Sequence, residues 1–282
     1  MTAEDGSRES PLEQILQQLD LAEPERDHYE GDPGPGEGRL FGGMVAAQCV
    51  MAAGRSIDDS SRRLHSLHAY FLRTGHHDAP LRLSVDRVRD GRSFTTRHVS
   101  ARQDDAVIFN LTASFCREED GIAHQDPMPE APPPEGLPDW ETERAKLPGS
   151  FPPMTSPIEL RMVDPWSNDP SPARQRTWMR VRGALPNDPL VHAAMLVYAT
   201  DRTLLGTAAR PHGIPWNQRM NLSLDHAVWI HHPVQLDDWL LYATESPVAH
   251  GAHGLAFGGV FERNGRRIAS VAQEGLIRLR RT

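Results

Sequence analysis

Apolar side chains along this chain alternate between two periods, one helical and one extended, and the order in which those periods occur is used twice. Over residues 11–21, Leu12, Ile15, Leu16 and Leu19 keep the three-and-four spacing of one helix face. Residues 31–38 then hold too many Gly and Pro for regular structure and read as a surface loop. Residues 42–53 are Gly, Ala, Val, Met and Cys around Gln48, with no charge, and a helix without a charged face is predicted to be buried. Residues 65–73, 81–89, 93–101 and 107–115 have the length of antiparallel strands, with Arg89-Asp90-Gly91-Arg92 and Gln103-Asp104-Asp105 as hairpin turns. The later half predicts strands at 159–163 and 175–183, a second apolar helix from Pro189 to about Leu205, and four strands between Asn221 and Arg278. Asn187-Asp188-Pro189 supplies the cap and the first-turn proline of that helix.

The two halves also echo each other residue by residue. His65-Ser66-Leu67-His68-Ala69-Tyr70-Phe71-Leu72-Arg73 and Ser223-Leu224-Asp225-His226-Ala227-Val228-Trp229-Ile230-His231 both carry His-Ala, then large apolar residues and a basic one. So long a period marks a duplicated domain, not a solenoid unit of about 20–50 residues. One buried helix followed by an antiparallel meander is an α+β unit with the helix across the sheet face. Residues 118–153, acidic and crowded with proline, read as a stiff connection. The expected organisation is a first domain at 1–117, a linker at 118–153 and a second domain at 154–282 that carries the chemistry.

Composition narrows the classes. With 282 residues, 38% hydrophobic, 24% charged and a formal net charge of -8, the chain has the balance of a soluble protein with an acidic surface, and no nucleic-acid partner is expected. A local basic patch, which a phosphate-bearing ligand needs, depends on arrangement and stays open. Two cysteines, Cys49 and Cys116, argue against a disulfide framework. Residues 1–15 lack the apolar core of an export signal, and the longest apolar run, 190–199, is interrupted by His192. That run falls short of the roughly 20 residues needed to span a bilayer. A cytoplasmic protein without membrane insertion is expected.

Two polar residues, Asp201 and Gln273, stand out against this background, and Ser223 is weighed beside them. Leu190, Ala194, Val197 and Asp201 share one face of the second helix, so a carboxylate occupies the stripe that should meet the sheet. The helix macrodipole also disfavours a negative charge at that end, by roughly 0.3–1 kcal/mol. Such a carboxylate suits a general base; the alternative is a helix that stops near Thr200 and a solvated Asp201. Alternation in the final strand places Gln273 with Val271 and Gly275 toward the core, where an amide needs a polar partner; a purely structural amide is the other reading. The register-equivalent position in the first half is Thr112. Ser223 opens the strand leading into Asp225-His226 and is by itself an ordinary turn residue, with no Gly-x-Ser-x-Gly elbow around it. The pairs His76-His77 and His231-His232, and His250 with His253, lack metal-site spacing, and no phosphate or dinucleotide loop is present, so neither metal nor cofactor is expected.

Taken together, Phe41-Gly42-Gly43-Met44-Val45, His65 to Arg73, Arg89-Asp90-Gly91-Arg92-Ser93-Phe94, Arg210-Pro211-His212-Gly213, Leu224-Asp225-His226 with Trp229, His232-Pro233 and Gln273-Glu274-Gly275 resemble the acyl-CoA thioesterase II family, bacterial TesB and its peroxisomal relatives. The resemblance runs over residues 12–278 and implies a double hotdog, two long helices each wrapped by an antiparallel sheet. It further implies hydrolysis of fatty acyl-CoA thioesters by a water held by Asp201, Ser223 and Gln273. Ser223 stands where many bacterial members have Thr. The resemblance also implies an oxyanion site at the N-terminus of a hotdog helix, at Gly42 and Gly43. A homodimer or homotetramer is expected from family habit and exposed sheet edges. A non-catalytic acyl-CoA binding protein and a hotdog hydratase are the rival readings; the second expects a closely spaced Asp and His, and Asp-x-x-x-x-His does not occur. Arg39, Arg63 and Arg97 are candidates for the CoA phosphates.

Overall fold

A computed structural model of the chain describes residues 9–147 and 156–280. In chain order the elements are α1 (Pro11–Leu19), β1 (Ala22–Glu25), β2 (His28–Gly31), α2 (Gly42–Arg55), β3 (Arg63–Phe71), β4 (Leu81–Asp90), β5 (Phe94–Gln103), β6 (Ala106–Cys116), α3 (Trp140–Arg144), β7 (Ile158–Met162), β8 (Arg174–Val181), α4 (Pro189–Thr200), α5 (Gly206–Ala209), β9 (Arg219–Ser223), β10 (Asp225–Ile230), β11 (Leu240–His250), β12 (His253–Glu262) and β13 (Arg267–Leu279). All strands pair antiparallel in one sheet of order β1-β2-β4-β5-β6-β3-β10-β13-β12-β11-β8-β7, with β9 extending the line of β10 along β13. The halves join where β3 pairs with β10. The α+β unit of buried helix and meander is used twice, and the whole is the double hotdog that the family resemblance implied.

The helix ends follow from local chemistry. Ser10 and Glu13 form a reciprocal capping box on α1. Asp188 accepts the Leu190 N–H at 2.8 Å and starts α4 behind Pro189. The uncharged run in α2 is buried from Gly43 to Ala53, and its lone amide is used: Gln48 Nε2 donates to the carbonyls of Gln18 and Asp32, each at 2.8 Å. Side chains of α4 reach its own part of the sheet through Thr200, whose hydroxyl meets His226 of β10 and whose carbonyl accepts from Tyr242 of β11.

The two helices lie against each other, antiparallel and close. A Cβ on Gly43 would stand 2.9 Å from the Tyr198 carbonyl oxygen, and one on Gly54 would enter the Leu190 side chain. The start of α2 therefore abuts the end of α4. One continuous apolar core contains both helices and residues of both halves.

Several sequence expectations change, among them the four strands expected between Asn221 and Arg278, which are five, β9 to β13. α4 stops at Thr200 instead of near Leu205, because the chain turns at Asp201 before the one-turn α5. The short hairpin β1–β2, turned at Asp27 with φ 63°, went unforeseen, its strands being too brief to show a period. The connection at 118–153 is not uniformly extended: it holds a 3-10 turn at Pro134–Gly136 and the helix α3, capped by Asp139; its residues 148–153 lie outside the described residues. The His-Ala repeat is misaligned by one position. His68 points outward with exposed Tyr70, whereas His226 is fully buried, and β3 pairs Ala69 with His226. Thr112, opposite His68, faces outward and is no counterpart of the buried Gln273.

Among the described residues no helix is long and apolar enough to cross a membrane. The helix contact makes a stability prediction. Gly43→Val should destabilise the protein by about 1–3 kcal/mol in urea unfolding, because the Tyr198 backbone cannot yield. Gly136→Ala, at a position open on all sides, should change stability by under about 0.5 kcal/mol.

Candidate active site

Asp201 forms the C-cap of α4 and is 9% exposed. The helix does end at Thr200, yet the carboxylate is not solvated. Its Oδ1 accepts the Ser223 hydroxyl at 3.1 Å and the Gln273 Nε2 at 2.6 Å. The three residues come from a helix end, the last position of β9 and the middle of β13, and they converge on one oxygen atom. Asp201 Oδ2 receives no donor from the described residues, and Asp201 and Ser223 both line a cavity of about 640 Å³. Gln273 itself is fully buried, with its Oε1 unpartnered.

A bulge aims Ser223 at this point. Ser223 stands opposite Gly275 and Ala227 opposite Ala272, so the β9–β10 side has one residue more than β13 between the two pairs. Leu224 N–H donates to the Glu274 carbonyl, and Asp225 Oδ1 accepts the Glu274 N–H at 2.7 Å, which pins the irregularity. Burial pushes the Asp225 carboxyl up from its ordinary value. Around the Asp201 turn, Thr200, His226 and Tyr242 form a buried polar support; burial and the nearby Asp201 charge hold the Tyr242 hydroxyl well above its ordinary pKa.

Gly42 lines the same cavity, and a Cβ there would stand 2.5 Å from the Phe71 ring. Phe41 is the N-cap and provides no side-chain cap, so the Gly42 and Gly43 N–H groups have no intrahelical acceptor, whereas Met44 N–H already donates to the Phe41 carbonyl at 3.0 Å. Gly43 packs against Tyr198 and is not on the cavity wall. The rest of the wall is largely apolar, with Leu40, Phe71, Ile108 and Phe109 from the first half and Leu160, Met162 and Leu205 from the second. Trp140, Glu141 and Arg144 of α3 close one side, and Glu141 Oε1 accepts from Arg202, the neighbour of Asp201, at 2.8 Å. Nothing in the proline-rich sequence of that segment signalled this role.

The corresponding end of α2 is chemically different. Its C-cap is Ser56, which is 2% exposed and accepts at Oγ from Arg97 Nε at 2.9 Å. Arg97 is 1% exposed and also donates to Asp90 and to the carbonyls of Arg89 and Thr96. It is thus a structural cation with no reach to a ligand. Arg63 is exposed and binds the Ser60 carbonyl, while Arg39 borders the cavity. Among the described residues no three His, Cys, Asp or Glu side chains cluster as metal ligands.

Buried, neutral His226 carries a pH prediction. Desolvation depresses its folded-state pKa below the ordinary value near 6.5, against the opposing charges of Asp201 and Asp225. As pH falls through that value the unfolded chain takes up the proton first, so stability should drop on the acid side, by up to about 1.4 kcal/mol per pH unit for this group. Urea unfolding at a series of pH values should give a shallower slope below pH 6.5 for His226→Gln than for the parent; equal slopes would contradict the assignment.

Known proteins resemble this chain along most of its length. A sequence model described as "Acyl-CoA thioesterase" matches residues 158–276, and one described as "Acyl-CoA thioesterase N-terminal domain" matches residues 31–116. Acyl-coenzyme A thioesterase 8 of Mus musculus is 36% identical over 283 residues, covering 93% of this chain and 88% of its own length. Acyl-CoA thioesterase 2 of Haemophilus influenzae is 36% identical over 252 residues, covering 85% and 88% respectively. The crystal structure of the acyl-CoA thioesterase II TesB2 from Mycobacterium marinum superposes with a TM-score of 0.79 at 39% identity, covering 94% of this chain and 98% of that one.

Proposed function

The chain belongs to the acyl-CoA thioesterase family, and from that premise we propose that Asp201, Ser223 and Gln273 carry out its hydrolysis of acyl-CoA thioesters. The observation that supports the assignment is the sharing of Asp201 Oδ1 by the Ser223 hydroxyl and the Gln273 amide while Oδ2, beside the cavity, has no donor among the described residues. Two donors fix the plane of the carboxylate, and the remaining oxygen is the base.

In this mechanism a water between Asp201 Oδ2 and the substrate gives up a proton as its oxygen attacks the thioester carbonyl carbon. The C=O electron pair moves onto the oxygen, and the N–H groups at the start of α2, with Gly42 on the cavity wall and Gly43 behind it, stabilise that charge. The tetrahedral species collapses by breaking the C–S bond. The thiol leaving group, with an ordinary pKa near 8.5, takes back the proton from Asp201. The products are a fatty acid and CoA, and no step requires a metal or cofactor.

The reading includes self-association as a homodimer or homotetramer. Its support is the outer face of the sheet, where Tyr70, Trp229 and Phe257 are 58%, 37% and 41% exposed around the junction of the two halves. A protein that only binds acyl-CoA would release no thiol, which separates the two readings.

A free-thiol assay over a range of acyl-CoA chain lengths tests the assignment. Asp201→Asn should lower turnover roughly 100- to 10,000-fold, the range for loss of a general base, with an unchanged circular dichroism spectrum; Ser223→Ala and Gln273→Ala should lower it less. Full thiol release by folded Asp201→Asn would end the proposal.

A further inference from the structure

We propose that Arg219 and Asn221 form an oxyanion-binding subsite at one end of the cavity, holding an anionic group of the substrate that is remote from the reacting carbonyl; this rests on the thioesterase reading above. The starting observation is a buried cation with nothing to bind. Arg219 is 2% exposed, and its Nε, Nη1 and Nη2 atoms are all buried without a hydrogen-bond partner. Its guanidinium lies over two indoles, 4.8 Å from the ring centre of Trp166 and 4.9 Å from that of Trp216. Burial pushes its pKa down to about 10, which leaves it charged at neutral pH.

Two other buried arginines show how unusual this is. Arg210, 6% exposed and next to the same Trp166, donates to the carbonyls of Pro172, Asp164 and Pro165. Arg97 has its own acceptors, as described above. Stacking on indoles attracts a cation but satisfies none of its N–H donors. A buried donor left unpaired costs free energy, and the planar fork of a guanidinium fits a two-oxygen anion.

The position links this cation to the reaction. Arg219, Asn221 and Ser223 are alternate residues of β9 and share one face of the strand. At about 3.3 Å per residue, Arg219 lies about 13 Å from Ser223 along the strand. Asn221, between them, has both side-chain polar atoms buried without partners among the described residues and lines the cavity, as do Trp166 and Trp216, while Arg219 stands directly behind that wall. The catalytic hydroxyl, an uncommitted amide and an uncommitted cation are therefore aligned in that order. An acyl-CoA thioester offers two oxyanions away from its carbonyl: the phosphates of CoA and, in a dicarboxylic acyl group, the terminal carboxylate.

Steady-state kinetics of the parent and Arg219→Met test the subsite with three thioesters: a medium-chain monocarboxylyl-CoA, the ω-carboxy acyl-CoA of equal length, and the monocarboxylyl thioester of pantetheine. Loss of a charge-assisted pair should raise KM roughly ten- to a hundredfold with little change in kcat. A rise for both CoA thioesters but not the pantetheine thioester identifies phosphate as the anion. A rise for the ω-carboxy substrate alone identifies the carboxylate. Unchanged KM for all three, or an equal rise for all three, overturns the proposal. Calorimetry on the parent protein gives a second measurement should Arg219→Met fail to fold. Tighter binding of CoA than of pantetheine, or of an α,ω-dicarboxylate than of the matching monocarboxylate, supports the subsite, and equal binding in both pairs sinks it. Because calorimetry needs no turnover, failure of the subsite is distinguishable from failure of Asp201 as the base.

Discussion

The contact between α2 and α4 is the constraint on which the site depends. Gly43 lets the Tyr198 carbonyl approach to a distance that any larger residue would block, and that approach sets the first turn of one helix beside the last turn of the other. A carboxylate at a helix C-terminus is disfavoured by the macrodipole of its own helix. The neighbouring N-terminus has the opposite sign and faces the same cavity, so the unfavourable field at Asp201 is offset by the element that would also receive the oxyanion. The hydrogen bonds from Ser223 and Gln273 then hold the carboxylate in one orientation.

Much of this was legible in the chain because it is periodic. The two uncharged helices and the strands of both meanders follow from spacing alone, and Asp201 and Gln273 stood out as polar residues in apolar stripes. Ser223 carried no such signal; its position depends on a one-residue bulge, which pattern reading cannot see because alternation on each side of it looks normal. The same blindness misled the repeat alignment. His68 and His226 share their neighbours in sequence and lie on opposite faces, since a one-residue offset in a strand exchanges inside for outside.

The connecting segment shows a different limit. Its prolines correctly suggested stiffness, but Glu141 reaches Arg202 across a long sequence separation, and short polar helices leave no apolar period to detect. Arg219 was hidden for a related reason. An arginine in a polar stretch reads as a surface residue, and only the two tryptophans that enclose it, one of them far upstream in the chain, make it a buried one.

The pseudo-symmetric end of α2 shows how far the two copies of the duplicated unit have parted. Ser56 takes the capping place that Asp201 takes in the other half, and the Arg97 guanidinium lies directly on it. An aspartate introduced at Ser56 would meet that cation as a salt partner, so the free carboxylate oxygen found at Asp201 would have no counterpart there. Under the proposed mechanism each polypeptide therefore offers one candidate base, and the matching place in the other half is given over to residues that hold the fold together.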